Sequence, residues 1–161
     1  MPGNALRELF VAWGDCRMLP EFTNEGDLPV GVHRATLEET LTRFGDSSSG
    51  RRIVAARLQK IHHLIIATGH LARCVVFGSF VTNKDEPNDV DLIFVMDDSF
   101  DVSVISGEAA LLFDHQVADS HFGASIFWVR RLAALGGEQA MIEFWQRRRD
   151  GKLRGIVEIV E

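Results

Sequence analysis

Apolar positions repeat at helical spacing in some stretches of this chain and form short strand-like runs in others. Leu6, Leu9, Phe10 and Trp13 give residues 4–13 a short amphipathic pattern, which predicts an N-terminal helix. Leu37, Leu41 and Phe44 share one face behind Thr36-x-x-Glu39. That is a capping box, in which a hydroxyl and a carboxylate satisfy orphan N–H groups, and Gly45 closes the helix. Val54, Leu58, Ile61 and Ile65 predict a longer helix over 51–67, stopped at Gly69. Strands are predicted at 74–77, 89–96 and 125–129, with a helix near 107–116 joining the last two. A helix over 137–149 carries Met141, Ile142, Phe144 and Trp145, read as core rather than as a base-stacking platform. The turn Asp150-Gly151 then leads to an added edge strand within 152–160. Pro20, Pro29 and several glycines make 19–33 a loop that must wrap across the body.

These elements describe an α+β fold, a small mixed β-sheet flanked by helices. Residues 1–161 form one domain, with a helical N-terminal part (1–70) and a sheet-containing core (74–161). Ser47-Ser48-Ser49-Gly50 is too short a linker to divide it. A chain of 161 residues can bury one core without disulfides or metals. With 46% apolar and 25% charged residues, it belongs to neither the disordered nor the membrane class. Cys16 and Cys74 are too few for a disulfide framework, which fits a reducing compartment. No secretory signal or membrane-spanning run is read, so a cytoplasmic location is expected.

A formal charge of −6 argues against broad nucleic-acid binding. Arg147-Arg148-Arg149 with Lys152 and Arg154 is a local exception. The favoured reading is a solvated helix end whose cations complement the helix dipole, the alternative a phosphate or RNA contact.

The chemistry concentrates between Gly78 and Leu92. The apolar run Cys74-Val75-Val76-Phe77 leads into Gly78-Ser79, a polar loop follows, and Asp89-Val90-Asp91-Leu92 opens the next strand. Period-2 alternation puts Asp89 and Asp91 on one face and turns Val90 and Leu92 into the core. Two adjacent carboxylates repel unless a cation lies between them. Oxygen-only ligands suit Mg²⁺, which is typically held by one or two carboxylates plus substrate phosphates. Gly78 lets backbone N–H groups, and Ser79 a hydroxyl, approach a phosphate closely. Asp-x-Asp after Pro87-Asn88 also suits a plain structural turn.

Gly78-Ser79, a gap and Asp89-Val90-Asp91 together resemble the signature of the DNA polymerase β-like nucleotidyltransferases. Their spacing is similar to that of the minimal nucleotidyltransferases of bacterial toxin–antitoxin systems. Three further blocks resemble a group of short bacterial proteins with that core: Leu28-Pro29-x-Gly31-x-His33 before Thr36-Leu37-Glu38-Glu39, Gly78-Ser79-Phe80-Val81-Thr82-x-Lys84, and Gly155-Ile156-Val157. The resemblance spans roughly 26–160. It implies a nucleotidyltransferase-type sheet with an N-terminal helical extension. It also implies Mg²⁺-dependent transfer of an NMP from an NTP to an acceptor such as a protein hydroxyl or an RNA end.

By this analogy Asp89 and Asp91 are catalytic and hold the metal, while Gly78, Ser79, Thr82 and Lys84 bind the nucleotide. Lys84 reads equally as a phosphate-neutralising cation and as an exposed loop lysine. The superfamily usually places a third acid on a later strand, where this chain has Ser125. Asp114 is expected within a helix and Asp119 in the loop after it, which makes Asp119 the possible third acid. The alternative is a catalytically impaired member of the fold, acting as a nucleotide-binding or antitoxin-like interaction module.

Overall fold

The computed structural model describes residues 19–161. The helix expected over 4–13 lies outside the described residues, as does Cys16.

Helix α1 (Leu37–Phe44) starts where its capping box says it should. The Glu39 amide donates to Thr36 Oγ1 at 3.1 Å, and the Thr36 amide donates to Glu39 Oε2 at 2.7 Å. Ser48 caps α2 (Ser49–Ala67) with a single bond, its Oγ accepting the Arg51 amide at 3.1 Å, and Gly69, at φ +73°, turns the chain out of it. The strands β1 (Val32–Ala35), β2 (Leu71–Phe77), β3 (Val90–Met96), β4 (Ala124–Arg130) and β5 (Ile156–Ile159) form one sheet in the order β1-β5-β2-β3-β4. The outer pairs β1/β5 and β3/β4 are parallel, and the inner pairs β5/β2 and β2/β3 antiparallel. The fold is therefore α+β around a mixed five-stranded sheet.

Two expectations change here. The segment expected at an edge is β5, which runs through the sheet interior with β1 on one side and β2 on the other. All four of its side chains are buried, including Glu158, which is held by a two-pronged bond from Arg73 (2.7 and 2.9 Å). The 19–33 stretch, read as loop throughout, ends in β1, so the N-terminal part is not wholly helical. A four-residue strand whose two polar positions, His33 and Arg34, are adjacent has no period-2 alternation to stand out.

Two helices also differ from expectation. Residues Gly107–Phe113 form a 3₁₀ helix, and α3 (His115–Phe122) starts only afterwards. Asp114 separates them because its carboxylate accepts the Val117 amide at 3.0 Å and restarts the helix as an N-cap. Asp114 is thus a cap and Asp119 a helical residue, the reverse of the expected placement. Helix α4 covers only Glu138–Phe144. Gln146 ends it: its side chain accepts the Gly31 amide at 2.6 Å while its carbonyl accepts the Arg154 amide at 2.9 Å. Beyond it, Arg147 pairs with Leu153 across a tight hairpin turned at Gly151 (φ +85°).

The sheet buries both faces unequally. On one face Cys74, Val76, Leu92, Phe94 and Ile126 meet Leu58, Ile61 and Ile65 of α2. On the other, Val75, Ile93, Val95 and Ile156 pack against Ile142 of α4. A seven-residue helix cannot cover five strands, so the β3/β4 end of that face stays open. Among the described residues, no helix is long and apolar enough to cross a membrane.

Candidate functional site

The open end of the sheet is where the acidic pair emerges. Val90 and Leu92 are fully buried on the α2 face, so the period-2 pleat directs Asp89 and Asp91 to the opposite one. In register, Asp91 lies beside Phe77 of β2 on one flank and Ser125 of β4 on the other. Ser125 Oγ donates to Asp89 Oδ2 at 3.4 Å. Where the resemblance leads one to expect a third acid, the structure places a hydroxyl against the acidic pair.

Gly78 follows β2 directly, with φ +78° and ψ −161°. A Cβ at this position would run into Asp91 Oδ2. Glycine is therefore required twice, by the backbone angle and by the carboxylate lying against it. The Asp91 carboxyl is pushed up from 3.8 to about 6. Burial is the main cause and the Asp89 charge the second, while Arg154, Arg149 and the Ser125 hydroxyl act in the opposite sense. This carboxylate lacks sufficient counter-charge from the protein.

Gly78, Ser79, Asp89 and Asp91 line one wall of an open cavity of about 750 Å³. Arg147, Arg148, Arg149 and Arg154 line it as well. The expectation of a solvated helix end is corrected: α4 stops at Phe144, and the arginines belong to the hairpin beyond. Arg148 Nη1 donates to Asp27 Oδ2 at 2.9 Å, and Arg154 Nη1 lies 3.8 Å from Asp27 Oδ1. Asp27 is buried in the loop that wraps across the body, so that loop fixes the arginine hairpin at the acidic pair. Asp150-Gly151 inside the basic run was the sequence signal, since a turn there breaks a helix and folds the run back on itself.

Three of the residues expected to bind nucleotide or metal do not line this cavity. Thr82 is buried, and its hydroxyl donates to the Ser79 carbonyl at 2.7 Å, bracing the 3₁₀ turn Ser79–Val81. Lys84 lies in the exposed loop. Asp119 sits on the exposed side of α3, where its carbonyl accepts the Gly123 amide.

Arg51 is the supporting residue that sequence reasoning missed. It is buried in the first turn of α2, and its guanidinium donates to the carbonyls of Phe44 (2.8 Å), Phe80 (2.8 Å), Thr82 (2.7 Å) and Lys84 (3.1 Å from Nε). One side chain thereby holds the segment from Phe80 to Lys84 that follows Ser79. Burial lowers its pKa, and Asp85 and Glu86 act in the opposite direction. A cation at a helix N-terminus opposes the dipole, and that anomaly is the signal available in the sequence.

As a donor set, Asp89 and Asp91 offer two carboxylates, and among the described residues no group of three or more His, Cys, Asp or Glu could hold a metal ion. Two carboxylates with room for phosphate oxygens fit Mg²⁺ held partly by its substrate. They do not fit an all-protein cage. Comparison with curated proteins and with solved structures finds no match. A family model matches residues 20–160, nearly the whole described chain, and the protein belongs to that family, the family of unknown function DUF6932.

Proposed function

We propose that this protein is a Mg²⁺-dependent nucleotidyltransferase that moves an NMP from an NTP to an acceptor hydroxyl. The observation that carries this reading is the meeting of Gly78-Ser79, the Asp89/Asp91 pair and the arginine hairpin around one cavity. None of the three alone would suffice. A glycine turn is common, an acidic pair is often a turn, and a basic run is usually solvated. Together they supply what phosphoryl chemistry needs, which is positioning and charge stabilisation. The nucleotidyltransferase type of the sheet belongs to the same proposal.

In this reading Asp89 and Asp91 hold Mg²⁺, and the bound ion supplies charge neutralisation of the triphosphate. The Gly78 backbone and the Ser79 hydroxyl bind phosphate oxygens. Arg147 and Arg149 extend the electropositive wall toward the leaving pyrophosphate, with Arg148 and Arg154 braced by Asp27. The acceptor oxygen forms a bond to the α-phosphorus as the bond to the bridging oxygen breaks. Pyrophosphate leaves with that electron pair, and the proton of the acceptor hydroxyl passes to solvent water. Ser125 favours a second reading, nucleotide binding without turnover, because a hydroxyl cannot supply the charge of a third carboxylate.

Thermal unfolding with each NTP, with and without Mg²⁺, tests the site on wild type and on Asp89→Ala and Asp91→Ala. Ligand at about 100 times its Kd stabilises by about 2.7 kcal/mol, a clear shift for a domain of this size. The expected result is an NTP shift that requires Mg²⁺ and vanishes in both variants. Pyrophosphate release then separates the two readings. No shift with any NTP at saturating Mg²⁺ would sink both.

A further inference from the structure

Among the described residues two hydroxyls line the cavity, those of Ser79 and Ser125, and their settings differ. Ser79 opens the 3₁₀ turn after Gly78, the phosphate side of the reading above. Ser125 faces the acidic pair. Its Oγ donates to Asp89 Oδ2 at 3.4 Å, and its Cα stands opposite that of Asp91, on a neighbouring strand about 4.8 Å away. A serine hydroxyl is a weak nucleophile by itself and is activated by a base within hydrogen-bond reach, a contact often looser before substrate binds. Asp89 is such a base. A carboxylate has two oxygens, so Oδ2 can hold the hydroxyl while Oδ1 is left for a cation.

The strand carrying Ser125 is pinned around it. Ala124, just before it, is buried, and just after it the Ile126 carbonyl accepts from His115 Nδ1 at 3.1 Å. Phe127, next on the same face, is held by Trp145 and His115, each with ring centroids 4.8 Å from its own. Trp145 packs in turn on Phe77, the register neighbour of Asp91, at 4.7 Å. This wall also corrects the reading of α4 as core throughout. Ile142 is buried, Met141 and Trp145 pack at the edge of the core, and Phe144, where the helix ends, is 64% exposed. A hydroxyl fixed in this way reacts with little reorganisation. Effective molarities of well-oriented intramolecular groups reach about 10⁵ M and above, which favours it over a hydroxyl arriving from solution.

We infer that Ser125 is itself an acceptor, so that the protein transfers one NMP from a bound NTP to its own Ser125 Oγ. The inference rests on the nucleotidyl-transfer reading above and names a hydroxyl which that reading leaves open. Ser125 Oγ forms a bond to the α-phosphorus as the bond from that phosphorus to the bridging oxygen breaks. Pyrophosphate leaves with the electron pair, and the hydroxyl proton passes to Asp89 Oδ2 and from there to solvent water. The product is a serine phosphodiester whose nucleotide occupies the cavity, so each chain reacts once. A third carboxylate at this place would bring only charge, whereas a serine brings a nucleophile.

The test is the intact mass of the full chain, as purified and after incubation with Mg²⁺ and each NTP, with peptide mapping of any adduct. Wild type and Ser125→Ala are compared, thermal melts verify the fold, and melts with NTP and Mg²⁺ record binding. The expected result is one NMP per wild-type chain, mapped to Ser125 and absent from Ser125→Ala. Its rate per molecule should not change over a tenfold range of protein concentration, because donor and acceptor share one cavity. An NTP-dependent shift in melting without an adduct, an adduct at another residue or one that survives Ser125→Ala would overturn the self-transfer. So would a rate that rises with protein concentration. Those outcomes leave the nucleotide reading standing. If no NTP shifts the melt and no adduct forms, that reading falls and takes this one with it.

Discussion

Removing the charge of Asp91 should make the protein more stable while abolishing the proposed Mg²⁺-dependent nucleotide binding. Asp91→Asn keeps the shape and the contact with Gly78 but has no proton to lose. In the folded wild type, burial and the Asp89 charge raise the Asp91 carboxyl from 3.8 to about 6. The native state therefore holds this proton more tightly than the unfolded chain does. The stability linked to the group is fully present below about 4, declines as pH rises, and is lost above about 6. At about 1.4 kcal/mol per tenfold, the whole displacement corresponds to about 3 kcal/mol. Screening at a carboxylate beside an open cavity reduces this to about 2 kcal/mol. Urea unfolding in EDTA is the assay, because a cation between the two carboxylates would cancel the penalty. Asp91→Asn should exceed wild type by about 2 kcal/mol at pH 8, and the gap should close as pH falls through 6 toward 4. An Asp91→Asn protein no more stable than wild type at pH 8, or a gap that ignores pH, would refute the argument that burial, with the Asp89 charge beside it, leaves the Asp91 carboxylate uncompensated.

Arg51→Lys keeps a positive charge but cannot reach four carbonyls with one ammonium, so urea unfolding should show a loss of about 3 kcal/mol. A change within 0.5 kcal/mol would mean that the loop after Ser79 holds itself. Ser125→Asp places a third carboxylate in register with Asp91. Without metal it should destabilise through like-charge repulsion. With metal it should tighten Mg²⁺ binding by about tenfold or more, read by calorimetry. Unchanged Mg²⁺ affinity would show that Ser125 lies outside the coordination sphere.

The parts of the fold legible in the sequence are those written in local chemistry. Thr36-x-x-Glu39 fixes a helix start through two bonds within four residues, and the alternation of Asp89, Val90, Asp91 and Leu92 assigns each to a face without reference to the rest of the chain. The misread parts depend on long-range partners. β5 looks like an edge strand until Arg73, far away in sequence, is seen to neutralise Glu158. The basic run looks like a helix end until Gln146 is seen to bond Gly31 and Asp27 to hold Arg148. At the site, the meeting of Gly78 and Ser79 with Asp89 and Asp91 is legible because the two short blocks flank one loop between neighbouring strands. The arginine wall is harder to read, because the Asp150-Gly151 turn folds the run back but only the long-range contact with Asp27 sets it against the acidic pair. Thr82 and Lys84 illustrate the converse: adjacency to a motif in sequence does not place a side chain in its cavity.

The position of β5 has a consequence for how the molecule assembles. β1 hydrogen-bonds to β5 alone within the sheet, and β5 follows the other four strands along the chain. During synthesis β1 must therefore wait, unpaired, until nearly all the described chain has been made. The arginine hairpin immediately precedes β5, and the loop that braces it immediately precedes β1. Closing the sheet thus brings hairpin and brace together in one late, long-range event, the slow kind of contact in folding. A nascent chain could expose Asp89 and Asp91 earlier, but the cavity's cationic wall would be completed only in that final step.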